Sequence, residues 1–311
     1  MLQDRGRHCR EELMTFDDIL EKYRSTQYSK RDEGTRFEEL MKAWLLTEPT
    51  YITTIEKVWM WSEFPYKKDF GSGKDVGIDL VALTYSGDYW AVQCKCYAPG
   101  TTISKRDVDT FLSTSGKVFR AECDVESTFS TRMWIDTSER WTSEAENLIR
   151  DQIIPVIRVT YDTLYASRVD WEKLDDGIYG PDAVSSSRKL LPHQAEAVEA
   201  FHEHFKTETR GRLIMACGTG KTFTSLCIAQ NEVPQNGLAL FLVPSIALLN
   251  QTLIEWMTYS MRPIHPICIC SDPSASKRKK EGSETDTVNL ALPATTDPGR
   301  IAKYLDESRK V

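Results

Sequence analysis

The chain has 311 residues, of which 41% are hydrophobic and 27% are charged, and its formal net charge is -7 at pH 7. This length predicts two domains with separate apolar cores, and the acidic balance excludes a protein coated in basic surface. The longest apolar run, residues 238–249, is broken by Pro244 and is too short for a membrane span. The charged N-terminus has no secretory signal. We therefore expect a cytoplasmic protein with reduced cysteines and no membrane partner.

The first half of the chain predicts an α/β domain. Apolar residues at helical spacing predict helices over 14–24 and 35–46, with Thr15 and Thr35 as N-caps. β-branched residues become more frequent between 51 and 58, which predicts that the sheet begins there. The pattern further predicts a helix over 104–118, a strand over 133–137, a helix over 142–151 and a strand over 156–161.

Residues 77–97, GIDLVALTYSGDYWAVQCKCY, place Asp79, Gln93 and Lys95 in two otherwise apolar strands. If residues 86–88 form a three-residue hairpin loop, Asp79 stands opposite Lys95 and the three polar side chains share one face of the sheet. A two-residue loop sets Asp79 opposite Cys94 instead and scatters the cluster. A carboxylate, an amide oxygen and an ammonium at one sheet edge suit Mg²⁺-assisted attack on a phosphate.

A second carboxylate is expected from the preceding helix. Glu38 and Glu39 lie on adjacent helix faces, so only one can turn inward, and the helical phase favours Glu38. The Cys-x-Cys pair Cys94 and Cys96 lacks zinc-ligand spacing and is predicted to lie in a core. The metal ligands expected at this site are therefore Asp79, Gln93 and Glu38.

These residues resemble the Mrr-like nucleases of the PD-(D/E)xK superfamily, in which a helix with G-x-x-F-E precedes D-x-G-x-D and Q-x-K. The matching residues are Gly34 with Phe37-Glu38, then residues 75–79, then residues 93–95. The resemblance implies a Mg²⁺-dependent centre that cleaves double-stranded DNA, built from Asp79, Gln93 and Lys95. It leaves the role of Asp75 open.

Linker composition at 175–188 separates this domain from a second one with alternating strand and helix patterns. The predicted elements are a helix over 192–206, a strand over 212–217, a helix after Gly220, a strand over 238–244, a helix over 245–258 and a strand over 266–270. Alternating strands and helices predict a parallel sheet.

Residues 215–222, MACGTGKT, follow the first of these strands and open a helix, which is the setting of a phosphate-binding loop. Gly218, Thr219 and Gly220 let backbone N–H groups turn towards the β-phosphate of ATP. Lys221 then reaches the β- and γ-phosphates, and the Thr222 hydroxyl is a ligand for Mg²⁺. The strict loop pattern has Gly where this chain has Met215.

With that Met, the loop resembles the loop of superfamily 2 helicases of type I and type III restriction systems. The resemblance implies that Gln194, in LPHQ, contacts adenine, although the family's Arg is replaced by Leu191. It also implies that residues 240–252 and 293–297 correspond to motifs Ia and Ib, which lie on the nucleic-acid side.

The resemblance also predicts a longer protein. No Asp-Glu pair on a further strand and no second motor lobe follow the loop, so weak or no ATPase activity is expected of these 311 residues. We expect the N-terminal part of a single-chain type I restriction enzyme whose remaining helicase, methyltransferase and target-recognition domains follow on the same chain, or else a truncated reading frame. Because the resemblance begins at MTFDDILEKY, Met14 is an alternative initiator.

The predicted fold class is α/β, with a restriction-endonuclease-like mixed sheet followed by an incomplete RecA-like parallel sheet. The predicted domains are a helical extension over 1–30, a nuclease over 31–174, a linker over 175–190 and a first helicase lobe over 191–311 that stops before the Walker B motif. The predicted function is a Mg²⁺-dependent endonuclease coupled to an ATP-driven translocase. Two alternatives stay open: a DNA- and nucleotide-binding module without turnover, and a nuclease fused to a signalling NTPase.

Overall fold

The computed structural model describes residues 14–26, 29–71, 77–138, 140–150, 152–184, 188–270 and 290–308. Two features singled out from the sequence lie outside these ranges: residues 1–13 and Asp75.

The described residues form the following elements. The helices are α1 Phe16–Ser25, α2 Lys30–Leu45, α3 Pro49–Ile52, α4 Lys105–Thr114, α5 Ser143–Arg150, α6 Tyr161–Ala166, α7 Trp171–Asp175, α8 Pro192–His204, α9 Lys221–Glu232, α10 Ile246–Tyr259 and α11 Pro298–Ser308. The strands are β1 Ile55–Met60, β2 Leu80–Thr84, β3 Tyr89–Lys95, β4 Thr102–Ile103, β5 Phe119–Arg120, β6 Glu126–Ser127, β7 Phe129–Asp136, β8 Arg140–Trp141 and β9 Val156–Val159.

The first half of the chain is built on a mixed sheet with the strand order β1-β2-β3-β7-β9 among the described residues. The β1–β2 and β2–β3 pairs are antiparallel, whereas β3–β7 and β7–β9 are parallel. The interior strands β3 and β7 are buried almost throughout, as expected for strands that are covered on both faces. The mixed α/β fold inferred from the sequence is confirmed.

Helices cover both faces of this sheet. On one face, Phe37, Met41 and Trp44 of α2 pack with Val92 and Cys94 of β3. On the other face, α4 and α5 cover an aromatic-rich cluster that includes the sheet residues Val81, Ala91 and Trp134. The period of two along each strand therefore decides which core receives each side chain.

Helix α1 begins where its cap predicts. The Thr15 side chain accepts a hydrogen bond from the Asp18 N–H, and Asp18 in turn binds the Thr15 N–H. Helix α2 begins earlier than predicted, because Ser29, and not Thr35, caps it by accepting from the Asp32 N–H. Acidic residues in the resulting first turn favour this longer helix.

The glycine- and serine-rich stretch after α7 folds back on the first half of the chain. Val169 and Val184 form an antiparallel bridge, and the Gly180 N–H donates to Thr47 Oγ1 at 2.8 Å. Residues 176–184 therefore pack against the sheet domain. Residues 185–187 lie outside the described ranges.

The parallel sheet predicted for the second half is wrong for the described residues. Residues 212–217 and 238–244 join no strand ladder there, and Ile214, Leu240 and Leu242 are 89%, 77% and 80% exposed. In residues 266–270, Cys268 forms an isolated parallel bridge with Ala294. Alternating apolar residues favour an extended backbone, but a ladder also needs a neighbouring strand to accept its hydrogen bonds.

The helices of the second half form as predicted. A small core gathers Val198 of α8 with Phe223, Leu226, Cys227 and Ile228 of α9. None of the described helices is long and apolar enough to cross a membrane.

Candidate functional site

The hairpin between β2 and β3 decides how the polar residues meet. The predicted loop over 86–88 is wrong: the last ladder pair is Leu83 with Tyr89, and the turn is closed by a bond of 2.9 Å from the Thr84 N–H to the Asp88 carbonyl. The Thr84 hydroxyl stabilises this turn, because it accepts from the Asp88 N–H at 3.0 Å and contacts Ser86 Oγ at 2.8 Å.

The observed register differs from the predicted one by two residues. Leu80 pairs with Val92, so Asp79 stands opposite Gln93 rather than opposite Lys95. Because side chains alternate with a period of two, this shift leaves Asp79, Gln93 and Lys95 on one face, which is the face that carries Val81 and Ala91. Asp79 and Gln93 are therefore in contact, and Lys95 shares their face of the sheet.

Asp79 is held by two donors. Its Oδ2 accepts the side-chain N–H of Gln93 and, at 2.8 Å, the backbone N–H of Cys94. Gln93 is 1% exposed, and its Oε1 is a buried carbonyl oxygen without a hydrogen-bond partner among the described residues. An orphaned buried oxygen beside a carboxylate is a costly arrangement unless a cation or a donor completes it.

The charges of the predicted site act together on the Cys94 thiol. Burial raises the pKa of this thiol well above its usual range, the carboxylates of Asp79 and Glu38 raise it further, and Lys95 lowers it. Both carboxylates and the ammonium therefore lie within electrostatic range of one sulfur atom, which packs on the α2 face of the sheet. Cys94 is a free buried thiol.

Helix α2 separates the two glutamates that were candidates for the second carboxylate. Glu38 is partly buried on the side towards Cys94, whereas Glu39 is exposed and lines a surface cavity of about 230 Å³ together with Tyr23 and Asp175. The helical phase predicted that Glu38, and not Glu39, turns inward, and the burial of the two side chains agrees with this. Its role as a metal ligand stays a prediction.

Gly77 lies two residues before Asp79, at a position where the backbone favours glycine. Its φ of +72° is unfavourable for other residues, and a Cβ there lies 3.1 Å from the backbone nitrogen of Phe111 in α4. This glycine allows the segment that leads to Asp79 to pass close to α4.

The donor set fits Mg²⁺ better than a transition metal. Within the described ranges, no three His, Cys, Asp or Glu side chains gather closely enough to hold a metal ion. Mg²⁺ takes few protein ligands and completes its shell with waters and substrate phosphates. The Asp79 carboxylate and the Gln93 amide oxygen suit this chemistry once the amide is rotated to turn its oxygen towards Asp79, because amide orientation is assigned from the hydrogen-bond network.

A second polar cluster beside Lys95 escaped the sequence reasoning. Asp136, at the end of β7, pairs in register with Lys95 and is completely buried. Its Oδ1 accepts from the Ser138 N–H at 2.8 Å, and its Oδ2 lies 3.9 Å from Nε of Arg158. The sequence did contain a signal for this cluster, because Asp136 is an acidic residue near the end of the predicted strand MWIDT.

Burial raises the pKa of Asp136 to about 6, and the Arg158 guanidinium and the Ser138 N–H oppose this rise. The indole N–H groups of Trp134 and Trp141 lower the pKa slightly, although neither makes a hydrogen bond of standard geometry. The neighbouring Thr137 N–H donates to the Lys95 carbonyl at 3.2 Å. The end of β7 therefore holds the backbone of Lys95.

We expect Asp136 to make the first half of the chain less stable as the pH rises from about 4 to about 7. A carboxyl whose pKa is higher in the folded state than in the unfolded state stabilises the fold below its unfolded pKa, and this contribution is lost as the pH passes the folded pKa. The loss is on the order of 3 kcal/mol. Urea unfolding followed by tryptophan fluorescence measures it, because seven of the eight tryptophans precede residue 180.

Asp136→Asn should remove that part of the pH dependence, whereas Asp109→Asn, on the exposed face of α4, should keep the wild-type slope. If the free energies of unfolding of wild type and Asp136→Asn run parallel from pH 4 to pH 7, Asp136 does not have the raised pKa.

The second predicted site is a loop between an extended segment and α9. Gly218 and Gly220 have φ values of +76° and +78°, and Gly220 is the N-cap of α9. Lys221 Nζ donates to the carbonyls of Met215 and Ala216 at 3.4 and 3.0 Å. Thr219 Oγ1 also binds the Ala216 carbonyl, at 2.8 Å. The loop therefore has the left-handed glycines that a phosphate-binding loop requires.

Gln194 reaches this loop from the start of α8. It is 1% exposed, its Oε1 accepts from the Leu191 N–H at 2.9 Å, and its Nε2 donates to the Thr219 carbonyl at 2.9 Å. Its predicted contact with adenine requires at least one of these bonds to open, and that contact stays a prediction. The link between Gln194 and the loop was not apparent from the sequence.

Comparisons with known proteins match two successive stretches of the chain. Residues 46–179 match the restriction endonuclease family Mrr_cat_2, and residues 187–297 match the family of the type III restriction enzyme res subunit, ResIII. Over 116 residues, or 37% of the chain, it is 29% identical to the probable helicase A859L of African swine fever virus, in isolates Tick/Malawi/Lil 20-1/1983 and Tick/South Africa/Pretoriuskop Pr4/1996.

Among solved structures, the ATP-dependent type ISP restriction-modification enzyme LlaBIII bound to DNA aligns with 94% of the chain, at 30% identity and a TM-score of 0.70. The chain spans 12% of the length of the viral relatives and 17% of the length of LlaBIII.

Proposed function

From a chain that carries an Mrr-type restriction endonuclease domain followed by a ResIII helicase-like domain, we propose a DNA endonuclease coupled to an ATP-dependent motor. The nuclease domain is proposed to span 31–174 and the start of the motor 191–311. The observation that carries the nuclease half is the contact of Asp79 with Gln93, on the sheet face that Lys95 shares.

Each residue of the proposed nuclease site has a distinct task. Asp79 and Gln93 hold the cation, with Glu38 as the further carboxylate. Lys95 positions the attacking water and stabilises negative charge on the phosphate. When bound, Mg²⁺ neutralises phosphate charge and activates water. Double-stranded DNA is the proposed substrate, and support comes from the likeness to an enzyme whose structure contains DNA.

We expect the chain to nick or cut supercoiled plasmid DNA with Mg²⁺ and to lose all cleavage when EDTA removes the metal. Restoring Mg²⁺ should restore cleavage, since Asp79, Gln93 and Glu38 carry no positive charge of their own with which to neutralise the phosphate. Gel electrophoresis measures the conversion to open-circular and linear forms. If the wild-type chain cleaves no DNA with any divalent metal, the nuclease proposal is wrong for these 311 residues.

For the motor half, the proposed ligand is ATP with Mg²⁺, bound by Gly218 to Thr222. The Asp306-Glu307 pair lies within α11 and so does not follow a strand. Turnover therefore requires further residues, and DNA-stimulated ATPase activity of these 311 residues would contradict this part of the proposal.

A further inference from the structure

The helix α10 lies between the phosphate-binding loop and the nuclease domain. It follows the extended residues 238–244, and Ser245 caps it by accepting from the Leu248 N–H at 3.3 Å. Two stripes of side chains run along this helix at the spacing of one or two turns. One stripe faces α9, and the other faces the sheet domain.

The first stripe holds the start of α9. Trp256 Nε1 donates to the backbone carbonyl of Thr222 at 3.1 Å. Trp256 and Tyr259 also pack against the small core of α8 and α9, and the ring of Tyr259 lies 5.5 Å from that of Phe223. Thr222 follows Lys221 in the loop, so α10 binds directly to the part of α9 that is proposed to contact the nucleotide.

The second stripe is buried against the nuclease domain. Leu253 and Met257 are 7% and 5% exposed, and they belong to the same core as Trp44 and Tyr51. Tyr51 lies in α3, which α10 contacts directly. The side chains of this interface are as buried as those of a domain interior, so we expect a displacement of α10 to reach α3.

Charged and aromatic groups continue the interface at its edge. The guanidinium of Arg168, in the nuclease half, lies 4.6 Å from the ring centre of Tyr259. Lys303 Nζ in α11 donates to the Ser86 carbonyl at 3.0 Å, in the hairpin that joins β2 to β3. The second half of the chain therefore also touches the turn between β2, which follows Asp79, and β3, which carries Gln93.

A phosphate bound at the loop acts on the start of α9 through Lys221. The Lys221 ammonium donates to the carbonyls of Met215 and Ala216, so the third of its N–H groups is the one left for a phosphate, and binding there shifts a side chain that is already bonded to the loop. A movement of Lys221 at the start of α9 acts on Thr222 and, through its carbonyl, on Trp256. A close-packed interface converts such a small shift into a concerted one.

We propose that α10 couples nucleotide binding at the loop to the nuclease domain, with Trp256 as the positioning residue on the loop side and Leu253 on the nuclease side. This inference rests on the proposed binding of ATP. It predicts that a nucleotide changes the stability of α3, although none of the residues proposed to bind it belongs to the nuclease domain.

Hydrogen exchange of the 311-residue chain, with and without the non-hydrolysable analogue AMP-PNP and Mg²⁺, tests the coupling. In wild type we expect slower exchange in peptides over the loop and, by about five-fold, in peptides over residues 47–58. Trp256→Phe keeps an aromatic ring, although a smaller one, and lacks the N–H that binds Thr222. Leu253→Ala loosens the packing against the core that contains Tyr51 of α3. In both variants, protection of the loop should persist and protection over 47–58 should fall to less than half.

Ile254→Ala, at an exposed position on the same helix and outside residues 240–252, is the matched control for Leu253→Ala and should behave as wild type. Loop protection in wild type without any change over residues 47–58 contradicts the coupling and leaves the proposed function standing. If neither region is protected, nucleotide binding itself fails, and the inference fails with it. Equal protection over 47–58 in wild type and both variants shows that α10 is not the link.

Discussion

Replacing Lys95 with Ala is expected to reduce Mg²⁺-dependent cleavage of plasmid DNA by at least about 100-fold, because it removes a positive charge that stabilises the transition state. Asp79→Asn should have an effect of similar size, since it removes the anionic metal ligand but keeps an oxygen that can accept from the Cys94 N–H. Initial rates of nicking at saturating Mg²⁺ measure both effects.

The control for Lys95→Ala is Lys117→Ala, at an exposed position in the turn after α4, which removes the same charge away from the predicted site. It should cleave as wild type does. Lys95 is only partly buried, so its truncation should leave the thermal unfolding temperature almost unchanged. A folded Lys95→Ala variant that cuts at the wild-type rate would show that the site is assigned wrongly.

The second large effect is expected for Gly220→Ala. A Cβ at this position overlaps Nε2 of Gln194, and Gln194 cannot move without losing its bonds to Leu191 and Thr219. The φ of +78° adds a cost of about 1 kcal/mol for any residue with a Cβ. We expect loss of nucleotide binding and a destabilisation of the α8–α9 pair.

Gly218→Ala is the matched control for backbone conformation, because its φ of +76° is almost the same and a Cβ there meets nothing within 4 Å. The clash at Gly220 should cost about 2 kcal/mol beyond this control, through the two lost hydrogen bonds. Amides of α8 and α9 should then exchange on the order of 30-fold faster in Gly220→Ala than in Gly218→Ala. Equal exchange in the two variants would show that contact with Gln194 does not stabilise the loop.

Several features were predictable because they depend on residues close in sequence. Thr15 caps α1 through a side chain three residues away, and the helices α8, α9 and α10 follow apolar periodicity. The shared face of Asp79, Gln93 and Lys95 was predictable for a related reason. A strand alternates with a period of two, so the two-residue error in register did not change which side chains meet on that face.

Other features depended on contacts between distant residues. The turn at Thr84 to Asp88 chose the register, and the pairing of β7 with β3 and β9 brought Asp136 beside Lys95 and Arg158. The burial of α10 between two cores was equally invisible in its own apolar pattern, which does not say which neighbour each stripe meets.

By itself, the sequence determined the chemical groups of both candidate sites, the order of the two domains and the face on which the nuclease residues lie. These follow from residue type and local periodicity. Only the tertiary structure decided that Asp79 stands opposite Gln93, that Gln194 holds the predicted phosphate-binding loop and that residues 212–217 and 238–244 carry no ladder among the described residues. Strand pairing and buried hydrogen bonds require partners far along the chain, and no local pattern specifies those partners.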